Sequence, residues 1–125
     1  MDNKSYFDKV KDSVILAANK GQDLTLDMVR HKIMNTLNRS EMLSELKGKF
    51  EPKETKLELS RKVAEVWLDK GLFEDVLIYK LTVVRTQFGF NSKEEYLFNY
   101  LEKAQENCDF WKQYSDVSYM FLEKT

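Results

Sequence analysis

The sequence predicts an all-α fold, a compact bundle of five to seven helices with a long or kinked C-terminal helix. Three observations carry this expectation. Apolar residues recur at steps of three and four through most of the chain. Three of the four glycines follow a lysine, at Lys20-Gly21, Lys47-Gly48 and Lys70-Gly71. A cation in the last turn suits the negative end of a helix, and glycine takes the left-handed cap conformation just past it. Ser92 and Glu95 stand at capping-box spacing ahead of a further apolar run. The 125 residues are enough for one domain, read as residues 1–125.

The first helix is expected from about Ser5 to Lys20, with Phe7, Val10, Val14 and Ala17 on one face. Thr25 can cap the second, which aligns Leu26, Val29, Ile33 and Leu37. Ser40 can cap a short third helix carrying Met42, Leu43 and Leu46, and Pro52 falls in the loop after it. The fourth, about 55–70, aligns Leu59, Val63, Val66 and Trp67. The fifth, about 72–88, is apolar round most of its circumference and ends near Gly89; such a helix is usually the buried one. Ile78 and the Val83-Val84 pair keep a strand reading open, against which stands the length of the run. From Ser92 onward Leu97, Leu101, Ala104, Cys108 and Trp111 form one helical seam with coiled-coil-like stepping. A second stripe, Phe110, Tyr114, Val117 and Phe121, points elsewhere on the wheel. Either the helix breaks near Asn107–Asp109, with Asp109 as a new cap, or one helix carries two apolar faces.

Composition argues against several function classes. Lys and Arg total 20 and Asp and Glu 21, a net charge of -1, and no segment has the basic excess of a free-standing DNA binder. The balance drifts from +2 over residues 1–50 (nine basic, seven acidic) to -3 over residues 91–125 (four basic, seven acidic). A single cysteine excludes an internal disulfide and a cysteine-based zinc site. The longest wholly apolar run, Val14 to Ala18, is far short of the roughly 20 residues of a membrane helix. No basic-then-apolar leader opens the chain, so the expected location is cytoplasmic. On that expectation, the sequons at Asn3-Lys4-Ser5 and Asn38-Arg39-Ser40 are chance matches.

Catalytic constellations are weak. His31, the only histidine, lies one helical turn from Asp27 and reads as a surface or ion-pair residue, with no nucleophile or pocket indicated. Cys108 sits on the seam with Leu101 and Trp111 and reads as a buried structural thiol. Ser44 to Lys47 matches Ser-x-x-Lys, but the penicillin-binding families need further motifs and a longer chain. The pairs Glu41/Glu45, Glu54/Glu58 and Glu102/Glu106 lack the Glu-x-x-His partners of a di-iron bundle and read as solvated faces. The scattered glycines form no phosphate-binding loop. The expectation is no enzyme, no metal, no cofactor and no small-molecule substrate.

What remains is surface. Ten of the sixteen aromatic residues lie between Phe88 and Thr125. Phe110, Tyr114, Val117 and Phe121 either fill a core or need a partner, and rings on a helix face are a common recognition device. They are the expected protein-binding residues, for a homo-oligomer or a larger complex. Arg30 falls inside or at the edge of the apolar face of the second helix. It reads as a snorkelling or carboxylate-paired cation, or as one held rigid for phosphate or a partner's carboxylate. Lys80, within the apolar arc of the fifth helix, has the same two readings.

Leu24-Thr25-Leu26-Asp27-Met28-Val29-Arg30 resembles the Leu-Thr-Thr-Ser-x-apolar-Arg stretch near the start of the small helical subunit of type III-A CRISPR effector complexes. The aromatic end, from Tyr96-Leu97-Phe98-Asn99-Tyr100 to Phe110-Trp111-Lys112-Gln113-Tyr114, is similar to that family's C-terminal helix. The family's Thr-Ser pair is Leu26-Asp27 here, and Leu72 stands where its aromatic helix would end in Gly-Arg. The resemblance implies a non-catalytic subunit stacked along a guide RNA–target duplex, with Arg30 as an RNA contact. A helix-turn-helix over residues 25–47 is a third reading. Glu41 and Glu45 stand where its second helix would need donors to DNA, so DNA is not the expected partner. The leading expectation is a non-catalytic protein-interaction module, a subunit or small regulator or inhibitor of a larger microbial or phage assembly.

Overall fold

In the computed structural model, which describes residues 6–125, the described residues form five helices and one three-stranded sheet. The order is α1 (Tyr6–Asn19), α2 (Leu26–Thr36), α3 (Arg39–Leu46), α4 (Lys56–Asp69), β1 (Tyr79–Gln87), β2 (Phe90–Phe98), α5 (Leu101–Trp111) and β3 (Val117–Lys124). The fold is mixed α and β, which corrects the all-α expectation, the five-to-seven-helix bundle and the long C-terminal helix. Ser5 and the Asn3-Lys4-Ser5 sequon lie outside the described residues. The chain falls into two compact units, residues up to Val14 with Leu24–Phe73, and Ile15–Asp23 with Glu74–Thr125.

The first unit is helical, and Thr25, Gly48 and Gly71 act at its helix ends as expected. Thr25 caps α2, its Oγ1 accepting from the Met28 amide at 3.1 Å. The cap of α3 is Asn38 and not Ser40. Its Oδ1 accepts from the Glu41 amide while Glu41 Oε1 accepts from the Asn38 amide, each at 2.9 Å. Thr55 and Glu58 form the same reciprocal box at the start of α4. Gly48 and Gly71 adopt φ of 86° and 65° past the ends of α3 and α4. Val10, Val14, Val29, Ile33, Met42, Leu59, Val63 and Trp67 are buried. Phe7 packs its ring edge-on to Trp67 at 5.3 Å.

The second unit holds the sheet. Strand order is β2-β1-β3, both neighbours antiparallel to β1, so α5 links two edge strands that run parallel on either side of the centre. Leu81, Val83, Tyr96 and Phe98 point to one face and form a core with Ala104 of α5, flanked by Cys108, Trp111, Val117, Met120 and Leu122.

The run 72–88 is therefore a strand only in its second half. Phe73 and Leu77 are buried before it starts, in turn and irregular backbone, so apolar residues accumulate round an imagined helix. From Tyr79 the chain is rich in β-branched residues, Thr82, Val83, Val84 and Thr86, which suit a pleated surface. As the central strand it carries buried residues on both faces, Leu81 and Val83 on one and Thr82 on the other, which hides the alternation. Gly89 does not end a helix. Phe88 and Gly89 form a two-residue hairpin turn between Gln87 and its partner Phe90, with φ of 53° and 79°. Positive φ at both central positions is the turn that matches strand twist.

Ser92 and Glu95 do not start a helix either. Both lie in β2, opposite Arg85 and Thr82. The helix begins at Leu101 behind Tyr100, whose side chain makes no cap bond, and it ends at Trp111 with no break or cap at Asp109.

Candidate functional site

The expected binding stripe Phe110, Tyr114, Val117 and Phe121 is not one helix face, because helix and strand divide it. Phe110 is on α5 and Tyr114 in the turn after it, both part-exposed, with their rings 5.3 Å apart and each about as far from Trp111. Val117 opens β3 on the α5 side and packs against the core. Phe121 projects from the other side of the sheet, beside Tyr119, with ring centroids 6.5 Å apart and planes 24° from parallel. A spacing of four residues keeps one side on a helix. Across β3 it does not, because Ser118 is an extra, bulged residue there: Val84 and Arg85 are consecutive on β1 while their partners Tyr119 and Val117 are two apart.

The turn rings are held from below by Arg85 on β1. Its guanidinium lies 5.3 Å from the Trp111 ring centre and 6.0 Å from that of Tyr114. Nε and Nη2 donate to Asp116 Oδ2 at 3.1 and 2.7 Å, and Gln87 Nε2 donates to the same oxygen at 2.6 Å. These donors, Arg85 foremost, hold the Asp116 carboxyl below its ordinary value of 3.8, and the same bond raises Arg85. On the same face the Tyr96 hydroxyl donates to Glu94 Oε2 at 2.5 Å, and burial and that bond push the phenol well up. Burial likewise raises the Cys108 thiol.

A carboxylate lowered in the folded state binds fewer protons there than in the unfolded chain, so its contribution is present above the unfolded value and lost as pH falls through the folded one. We expect the difference in urea midpoint between the wild type and Asp116→Asn to be constant above about pH 5 and to shrink below about pH 4. Midpoints measured across that range check it.

The most exposed rings lie where the sequence reading placed a helix end. Phe88 is 97% and Phe90 78% exposed, at the tip of the β1–β2 hairpin. Their signal was in the sequence: Gln-Phe-Gly-Phe-Asn reads as a turn once 79–87 is taken as a strand.

The remaining expected residues are engaged locally. Arg30 Nε lies 3.8 Å from Asp27, so the α2 cation is carboxylate-paired. His31 meets Asn35 at 3.1 Å. Lys80 is on β1 rather than a helix, on the sheet face away from α5, 3.2 Å from both Glu95 and Glu123; these bonds raise its ammonium. Glu41 pairs with Lys9 and Glu54 with Lys62, and each of these carboxyls is lowered chiefly by its lysine. Among the described residues, no helix is long and apolar enough to cross a membrane, and no three His, Cys, Asp or Glu side chains gather as metal ligands. No protein-family model, curated protein or solved structure matches the chain.

Proposed function

We propose that the chain is a non-catalytic protein-interaction module, a cytoplasmic subunit or small regulator or inhibitor of a larger microbial or phage assembly, and that the Phe88–Phe90 hairpin tip is its leading contact. One observation carries this reading. Phe88 holds a left-handed backbone at φ of 53° with its ring in water. That conformation costs an L-residue roughly 1–2 kcal/mol, and Asn or Gly at this turn position is the low-cost choice. A ring 97% exposed returns almost nothing to the monomer, so its use lies in a contact made with another molecule. Phe110, Tyr114 and Phe121 add part-exposed rings to the same unit. Two titratable groups of this unit are engaged in ways that suit structure: the Asp116 carboxylate is paired with Arg85, and burial raises the Cys108 thiol.

The test is affinity capture from the native cell with wild type and Phe88→Asn, each with and without nuclease. The wild type is expected to retain a protein partner through nuclease treatment. Phe88→Asn is expected to lose it while the isolated protein becomes about 1 kcal/mol more stable in urea. Equal retention by the variant overturns the reading. Loss of the partner on nuclease treatment turns it toward RNA.

A further inference from the structure

We propose that a second copy of this chain pairs with the outer edge of β3, antiparallel and about a twofold axis at Met120, joining two three-stranded sheets into one. The inference concerns a different edge of the unit from the hairpin tip and does not depend on it.

The sheet has two outer edges, and they differ in chemistry. β2 carries Lys93, Glu94 and Glu95 in mid-strand, the charges by which edge strands resist pairing. β3 is bulged at Ser118, and beyond the bulge it runs Tyr119-Met120-Phe121-Leu122 with no charge and no proline before Glu123. Its inner side pairs with β1, and among the described residues no strand pairs with its outer side. Tyr119 and Phe121, 58% and 44% exposed, stand on the sheet face away from α5.

The occupant follows from self-complementarity. A twofold axis normal to the sheet matches equal faces, so along the regular stretch Tyr119–Leu122 paired residues must be an even number apart in sequence. Centring on Met120 sets Tyr119 against Phe121 of the second copy, and Phe121 against its Tyr119. Cross-strand ring pairs of this kind stabilise a sheet. The two methionines meet on the α5 face. Centring on Phe121 instead would set each Tyr119 against Glu123, a ring against a carboxylate. Two short strands bury less than a standard interface of about 1,600 Å², so the dimer is reversible.

The test is sedimentation equilibrium of the full chain from about 1 to about 500 μM, the range in which such small interfaces associate. Wild type is expected to dimerise. The pair Tyr119→Lys/Phe121→Lys, and separately Tyr119→Glu/Phe121→Glu, are each expected to raise the dissociation constant at least tenfold by opposing like charges. Mixing the two variants is expected to restore dimerisation as a heterodimer, because residue 119 of one copy faces 121 of the other; that restoration also shows both variants folded. Phe88→Asn is expected to dimerise like wild type. A wild type that stays monomeric throughout, a lysine variant that dimerises as wild type does, or a mixture that stays monomeric overturns the proposal. None of these outcomes touches the hairpin reading, which the capture experiment decides separately.

Discussion

Phe98→Ala is expected to cost the second unit about 3–5 kcal/mol, the range for truncating a fully buried aromatic side chain. Phe98 is wholly buried at the end of β2, opposite Tyr79 and against Ala104 of α5. A domain of this size has a total stability on the order of 5–15 kcal/mol, so the variant sits near its unfolding threshold. The informative comparison is with Leu101→Ala. On the helical seam Leu97-Leu101-Ala104, Leu101 would be core and Phe98 would lie off it. In the structure Leu101 is 42% exposed and Phe98 has no exposure. Leu101→Ala is therefore expected to cost well under half as much. Urea unfolding of the two variants checks the order, and the reverse order would restore the helix.

The same residues show why the sequence misled. Helices α2 to α4 are legible because signals stand at their ends: Thr25 caps α2 as read, and Gly48 and Gly71 lie just past α3 and α4, although the caps Asn38 and Thr55 were not read. Those signals act within a few residues and survive any tertiary context. The sheet has no equivalent. β2 begins Phe-Asn-Ser-Lys-Glu-Glu, polar because its outer half is exposed, and only Tyr96 and Phe98 alternate into the core. Its identity as a strand comes from pairing with β1, a long-range fact. Ser92 and Glu95 satisfy the capping-box spacing by composition alone. The C-terminal stripe failed similarly. Phe110, Tyr114, Val117 and Phe121 keep helical spacing across Ser115-Asp116, where the chain turns and the period changes from 3.6 to 2. Aromatic enrichment of the last third was visible from the start. Which rings face water was not, because that depends on which side of a sheet α5 covers.

Gly21→Ala is expected to cost about 2 kcal/mol, against about 1 kcal/mol for Gly48→Ala. Both glycines hold positive φ, 92° and 86°, so a Cβ brings comparable backbone strain to each. Their surroundings separate them. A Cβ on Gly48 meets nothing within 4 Å, whereas one on Gly21 would stand 2.5 Å from Asn107 Oδ1. Asn107 can give way only by moving a side chain whose Nδ2 donates to the Lys103 carbonyl at 3.0 Å, a bond whose loss costs about 1 kcal/mol. The excess is thus assigned to one contact between the end of α1 and α5. A double-mutant cycle isolates it. In an Asn107→Ala background the cost of Gly21→Ala is expected to fall to that of Gly48→Ala, leaving a coupling of about 1 kcal/mol. If the cost of Gly21→Ala is unchanged in that background, the strain is backbone alone and the packing of α5 over the Gly21 turn is not as described.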